Sequence, residues 1–259
     1  NKNGASYEDA LESAQELGFA EADPTNDVDG IDAAYKMIIL TQFAFGKDVT
    51  MDQVKVKGIR GIQKADIAEA KRLGYVIKLL GIAKLVNGHI DVSVGPVLVP
   101  QTQPLAAIQN ENNAVVVTGS AVGETMFYGP GAGELPTANS VLSDITSVTK
   151  NIVMGTTGFS FNDYTNELEL ADDSEVVYPY YLSLQVLDKP GQMLKLTEIM
   201  TEYDASFRLI TQTQMNDRFA RVSMVTHEMS ESQLNHIVEK LNELEEISVL
   251  AAYKVLTEK

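Results

Sequence analysis

Two twelve-residue runs, YVIKLLGIAKLV (75–86) and HIDVSVGPVLVP (89–100), constrain this chain more than any other feature. Only Asn87 and Gly88 separate them, and Asn-Gly tolerates the positive φ that a two-residue hairpin turn demands at both positions. A long antiparallel hairpin is therefore expected, with a second in NAVVVTG and AVGETMFYG. Around these pairs the period is helical. SYEDALESAQELG offers Ser6 as N-cap with Asp9 three residues on, Leu11, Ala14 and Leu17 on one face, and Gly18 as the stop. A second helix is expected from about Asp29 to Phe43, with Gly30 in its first turn and Ile31, Ala34, Tyr35 and Ile38 buried. A third lies in KADIAEAKRLG, ending at Gly74, and a fourth in PTANSVLSDITSVTK. Hairpins among helices, without regular strand-helix-strand alternation, predict an α+β fold: a mixed or antiparallel sheet covered by helices.

The chain then changes character. Residues 151–178 turn polar and irregular, as a linker would. Beyond them YYLSLQV, GQMLKLTEIMTEY, SFRLITQTQ, RFARVSMVT, SESQLNHIVEKLNEL and ISVLAAYKV read as β-α-β-β-α-β, the ferredoxin-like order. On the last helix Leu234, Ile237, Val238 and Leu241 form a core stripe. Three segments are thus expected: a domain over 1–150, a linker over 151–178 and a second domain over 179–259.

Composition excludes several functions. A formal net charge of -16 and no visible basic patch argue against nucleic acid. No apolar run reaches the roughly 18 to 20 residues a bilayer crossing requires, and no basic-then-apolar signal opens the chain, so no membrane role is expected. The absence of cysteine removes disulfides, thiolate metal sites and thiol catalysis, and fits a reducing cytoplasm. His89, His227 and His236 are too far apart in sequence to suggest a metal motif.

One stretch carries chemistry. EADPTNDVDGIDAAYK (21–36) holds five carboxylates and one lysine. Asp32 and Lys36, four apart, stack on one helix face, which as a plain surface ion pair is worth about 0.3 to 0.5 kcal/mol. Alternatively, Glu21, Asp27 and Asp32 face a cleft where they hold a substrate ammonium or hydroxyl, and Lys36 gives or takes a proton. The run YGPGAGELPTA, with Gly129, Gly131 and Gly133 ahead of a helix, can bring backbone amides close to an anionic or polar ligand, although its spacing is not that of a dinucleotide fingerprint.

GFAEADPTNDVDGIDAAYK resembles the substrate-site signature of homoserine dehydrogenase, and GIRGIQKADIAEAKRLGYVIKLLGIAK and FYGPGAGELPTANSVLSDI continue in that family's order. The resemblance implies reversible NAD(P)H-dependent reduction of aspartate semialdehyde to homoserine, in threonine, methionine and isoleucine biosynthesis. It implies Lys36 as the catalytic lysine with Asp32 orienting it, Glu21, Asp27 and Asp32 around the substrate, and Gly129, Gly131 and Gly133 on the cofactor side. The family's G-x-G-x-x-G Rossmann domain has no match here, so the chain is expected to be a piece of a longer protein, inactive alone. LDKPGQMLKLTEIM, with Asp188, Pro190 and Gly191 turning into a helix, resembles the start of an ACT module. That resemblance implies an amino-acid effector such as threonine at the turn, and pairing into a homodimer. Asp204, Ala205 and Ser206 depart from the glycine-containing turn of many ACT modules. The alternative expectation is an effector-binding or dimerisation fragment without catalytic activity.

Overall fold

The computed structural model describes residues 7–16, 22–110, 112–131, 133–157 and 167–257. They fall into two compact units, Asn1–Pro24 with Pro104–Asp163, and Thr25–Gln103 with Tyr164–Lys259. In chain order the elements begin with α1 (Tyr7–Glu16), α2 (Thr25–Val28), α3 (Ile31–Phe45), β1 (Lys55–Val56) and α4 (Lys64–Arg72). The hairpins β2 (Tyr75–Val86) with β3 (His89–Pro100), and β4 (Asn112–Gly119) with β5 (Gly123–Pro130), follow, then α5 (Glu134–Met154). The C-terminal run is β6 (Val177–Tyr178), β7 (Tyr180–Leu187), α6 (Gln192–Glu202), β8 (Phe207–Gln214), β9 (Phe219–Thr226), β10 (Met229–Ser230), α7 (Glu231–Asn242) and β11 (Ile247–Val255).

The β2–β3 hairpin closes as expected, with Asn87 at φ 51° and Gly88 at φ 90° and twelve residue pairs in unbroken register from Tyr75↔Pro100 to Val86↔His89. β7, β8, β9 and β11 form an antiparallel sheet in the order β11-β7-β9-β8, the ferredoxin-like arrangement. The two sheets are one. β11 pairs with β3 in parallel through Lys254↔Val97 and Val255↔Leu98, giving a seven-stranded mixed sheet. Because β2 occupies one whole edge of β3, β1 and β11 share the other: β1 takes Ser93 and Val94, β11 takes Val97 and Leu98.

Alternation along the strands fills both faces of the ferredoxin-like sheet. Tyr180, Leu182 and Leu184 on β7 pack with Leu196 and Met200 of α6 and Ile237 and Leu241 of α7, all essentially inaccessible to water. Each such side chain contributes about 1.5 to 3 kcal/mol by leaving water. The opposite face would be bare in an isolated module. Here α4 covers it, through Ala70 against Leu98, Tyr181, Val225, Ala251 and Tyr253. Arg221 of β9 pins the cover down by donating to Asp66 of α4 at 2.8 Å and to Gln63 at 2.9 Å. A third cluster seats α3 on the hairpin through Ala34, Ile90, Val92 and Val94.

Two expectations need correction. Tyr35 is not buried: α3 starts at Ile31, after the separate turn of α2, and its face against the hairpin carries Ala34, Ile38 and Met37 while Tyr35 is 57% exposed. The polar stretch after α5 is only partly irregular. α5 itself runs on to Met154, and Leu168 and Leu170 pack beneath α3, with Ile90 donating to Glu169 and accepting from Ala171, both at 2.9 Å. Ser6, Leu17 and Gly18 lie outside the described residues. In the smaller unit β4 and β5 pair throughout, and α5 buries none of its residues.

Candidate functional site

α3 owes its position to two close approaches. A Cβ on Gly81 of β2 would run into the Met37 side chain, so glycine there lets the helix lie close against the strand. At Gly58, a Cβ would stand 2.6 Å from both Asp29 Cα and Val28 O, inside any real contact distance. The GIRG loop therefore lies flush against the segment entering α3. Ile59 N donates to Val28 O at 2.8 Å, and Arg60 grips Asp29 with Nε to Oδ1 at 2.6 Å and Nη2 to Oδ2 at 3.3 Å. A two-point guanidinium–carboxylate contact fixes orientation as well as distance. Neither Asp29 nor Arg60 stood out in the sequence, although GIRG itself did; its spacing gives no sign that the arginine turns back 31 residues.

On that platform Asp32 and Lys36 meet, Oδ2 to Nζ 2.6 Å, with side chains 48% and 56% exposed. Asp32 sits in the first turn of α3, where the positive end of the helix dipole favours its charge. Asp27 lies exposed on α2, and among the described residues it makes no ion pair with Lys36. Glu21 is outside the described residues. The arrangement holds a half-exposed ammonium at a carboxylate, which suits proton delivery to a carbonyl oxygen.

The glycine run belongs to the smaller unit. Gly133 precedes α5 at φ 117° and accepts from Thr137 N and Oγ1, Gly131 lies against the Asn113 side chain, and Gly129 pairs with Asn113 on β4. Gly129 has open space where a Cβ would stand, whereas Gly131 is closed off on that side by the Asn113 amide. In the C-terminal module Asp188, Pro190 and Gly191 form an exposed turn, Gly191 at φ 92° leading into α6. Asp188 accepts from Gln212 at 3.3 Å, and the buried Gln192 Oε1 beside the turn has no hydrogen-bond partner. Leu234, Ile237 and Leu241 are core, as their spacing predicted. Of the histidines, His89 binds Glu175 through Nδ1 at 2.8 Å and His236 stacks on Tyr203. Among the described residues no cluster of histidine, aspartate and glutamate could hold a metal ion, and no helix is long and apolar enough to cross a membrane.

A second polar cluster, unmarked in the sequence, lies where β1 and β11 meet β3. Lys55 binds Asp173 and lies 3.3 Å from Glu231. Lys254 donates to Ser93 Oγ at 3.0 Å and lies 3.6 Å from Glu231. Lys57 donates to Ala252 O at 3.1 Å, and burial lowers its pKa. Burial, followed by the charge of Asp91, pushes the Tyr178 hydroxyl well above its ordinary value, and burial followed by Glu231 does the same for Tyr180.

Fold and site together define an α+β protein whose helix-covered hairpin carries an acid–lysine pair and shares its sheet with an ACT module. The ACT family model matches residues 180–246, and the homoserine dehydrogenase model matches residues 1–146. The chain belongs to the homoserine dehydrogenase family. It is 46% identical over 257 residues to the homoserine dehydrogenase of Bacillus subtilis, covering 98% of this chain and 59% of that protein. The Lactococcus lactis enzyme is 43% identical over 250 residues, covering 96% and 58%. The solved homoserine dehydrogenase of Thiobacillus denitrificans superposes with a TM-score of 0.90 at 33% identity, over 98% of this chain and 59% of that one. That of S. aureus at pH 6.0 gives 0.74 at 32% identity, over 100% and 61%. The chain thus spans about three fifths of the length of these relatives.

Proposed function

We propose that this chain is the substrate-binding and regulatory part of an enzyme that interconverts aspartate semialdehyde and homoserine with NAD(P)H. The observation that carries the reading is the Asp32–Lys36 pair at 2.6 Å, open to solvent on a helix locked in place by Arg60 and Asp29. In the reducing direction the carbonyl carbon gains a hydride and its oxygen gains a proton. A bound nicotinamide supplies the hydride. Lys36 supplies the proton to the carbonyl oxygen, Asp32 holds the Lys36 ammonium beside it, and Glu21 and Asp27 receive the substrate ammonium and the hydroxyl of the homoserine product. Gly129, Gly131 and Gly133 form this chain's share of the cofactor contact. The absence of cysteine agrees with aldehyde–alcohol exchange, which needs no covalent thiol adduct.

The 259 residues alone do not turn over, because the nucleotide fingerprint that binds the cofactor is not among them. Mixing the chain with NADPH and aspartate semialdehyde tests this; steady turnover would refute it. In a protein completed with a nucleotide-binding part, Lys36→Ala lowers kcat about a hundredfold or more, and an unchanged kcat would remove Lys36 from the reaction. For the ACT module, the unpartnered Gln192 Oε1 beside Asp188, Pro190 and Gly191 supports an amino-acid effector such as threonine at that turn, with the modules pairing in a homodimer. This part of the reading stands even if the chain has no catalytic role.

A further inference from the structure

The chain holds two Asn-Gly pairs, Asn3-Gly4 and Asn87-Gly88, and the second closes the long hairpin. Asn87 and Gly88 are both exposed, and their φ angles of 51° and 90° make the turn type I′, left-handed at both central residues. Type II′, the other two-residue hairpin turn, keeps φ positive at the first position and reverses it at the second. Asn87 therefore fits both types, and Gly88 crosses between positive and negative φ without steric cost. A Cβ on Gly88 would meet nothing within 4 Å, so no neighbour blocks the movement. Turning over the single peptide between Asn87 and Gly88 exchanges one turn for the other and leaves the Val86↔His89 pair, and the strands behind it, in register.

The two turns differ in what the Gly88 nitrogen faces. In type I′ it stands on the far side of the Asn87 Cα–C bond from Cβ. In type II′ the first central residue has ψ of about −120°, which eclipses the Gly88 nitrogen with Asn87 Cβ and sets it beside the side-chain carbonyl carbon, Cγ. Glycine also has no side chain to obstruct an approach of its nitrogen to that carbon.

We propose that Asn87 is a site of spontaneous covalent modification, converted in the folded chain to aspartate and isoaspartate. The Gly88 nitrogen attacks Asn87 Cγ and gives up its proton; the new N–C bond closes an imide ring, and the side-chain nitrogen leaves as ammonia. Water then opens the ring. Addition at the side-chain carbonyl leaves aspartate, and addition at the main-chain carbonyl leaves isoaspartate, with the main chain rerouted through the side chain. The net change consumes one water and releases one ammonia. The product falls at a junction: Glu175 accepts from Asp172 N at 3.1 Å, pairs with His89 Nδ1 at 2.8 Å and accepts from the Asn87 side chain, and these contacts hold its carboxyl below the ordinary value. Conversion replaces the Asn87 donor by a carboxylate facing Glu175, and the isoaspartyl form adds a carbon to the main chain within a two-residue turn. Both changes loosen the hairpin tip from the 172–175 turn. None of this depends on the catalytic reading.

Holding the folded 259-residue chain for weeks in mildly alkaline buffer and mapping its peptides by mass spectrometry tests the site, with the same chain in urea as the unfolded reference. Aspartyl and isoaspartyl forms are expected at Asn87 in the folded chain, and the urea midpoint of aged protein should fall below that of fresh protein. Asn87→Gly leaves a Gly-Gly pair suited to the turn and has no amide to lose, so its midpoint should stay constant over the same period. Asn87 intact in the folded chain once the urea sample has converted would mean that the turn never leaves type I′, and would overturn the proposal. So would modification confined to Asn3. An equal fall of midpoint in Asn87→Gly would place the damage elsewhere and overturn the loosening assigned to this turn.

Discussion

Replacing Asp66 by alanine breaks the buried contact that fastens α4 to β9 of the ferredoxin-like sheet. Asp66 is wholly buried and Arg221 is 7% exposed. The guanidinium gives Nη1 to Asp66 Oδ1 at 2.8 Å and to Ser183 Oγ at 3.0 Å, and Nη2 to Gln63 Oε1 at 2.9 Å. Alanine removes the only carboxylate that, among the described residues, pairs with it directly and leaves a buried cation held by two neutral oxygens. Stranding one member of a buried pair costs about 3 to 5 kcal/mol, whereas losing an exposed pair costs under about 1 kcal/mol. Ser183 and Gln63 remain, and the Glu69 carboxylate is close enough to feel Arg221, so the lower figure, about 3 kcal/mol, is expected. That is a large part of a typical domain's 5 to 15 kcal/mol, roughly speaking. Urea denaturation followed by circular dichroism and by tyrosine fluorescence measures it; the chain has ten tyrosines and no tryptophan. Exchanging both partners for apolar residues, Asp66→Leu with Arg221→Met, should recover most of the loss, because neither charge is then desolvated. A loss below about 1 kcal/mol in Asp66→Ala would refute the claim that this pair fastens α4 to β9.

Three further outcomes follow from named contacts. The hydrogen bond from Arg72, and after it that from Thr211, hold the Glu69 carboxyl below its ordinary value of 4.5; its stabilisation is therefore complete above that pH and lost as the pH falls below it. Glu69→Gln should flatten the acid limb of a stability–pH curve there, and an unchanged limb would show that the pairing does not matter. Gly58→Ala sets a methyl against Asp29 and Val28 backbone, and should cost about 1 to 3 kcal/mol; wild-type melting would mean the loop yields freely. Gly88→Ala, at φ 90° in the hairpin turn, should cost about 1 kcal/mol, measured by the same denaturation, and no loss would deny the turn its role in setting the β2–β3 register.

What a sequence shows depends on how far apart the interacting residues are. The β2–β3 hairpin is legible because its pattern, turn and partner are contiguous, and the β-α-β-β-α-β order because each element has its own period. The Asp32–Lys36 pair is equally local, four residues along one helix. The reading failed where a face was chosen by a distant partner: Tyr35 has the spacing of a core residue, yet Met37 rather than Tyr35 meets Gly81. The Arg60–Asp29 grip spans 31 residues and Arg221–Asp66 spans 155, and in each case periodicity assigns a face but never names the partner.

The junction of β3 with β11 is the extreme case and the most consequential. Its two pairs, Lys254↔Val97 and Val255↔Leu98, bridge more than 150 residues and turn two expected sheets into one. The junction also explains why α4 is apolar toward a module it precedes by over a hundred residues: Ala70 is the lid on Tyr181, Val225 and Tyr253. A ferredoxin-like sheet normally leaves one face free to pair or to be covered. Here α4 packs on that face through Ala70. β3 is thus a shared strand: it takes β1 at Ser93 and Val94 and β11 at Val97 and Leu98, so the sheet of the C-terminal module and the hairpin beneath the helix bearing Asp32 and Lys36 are continuous.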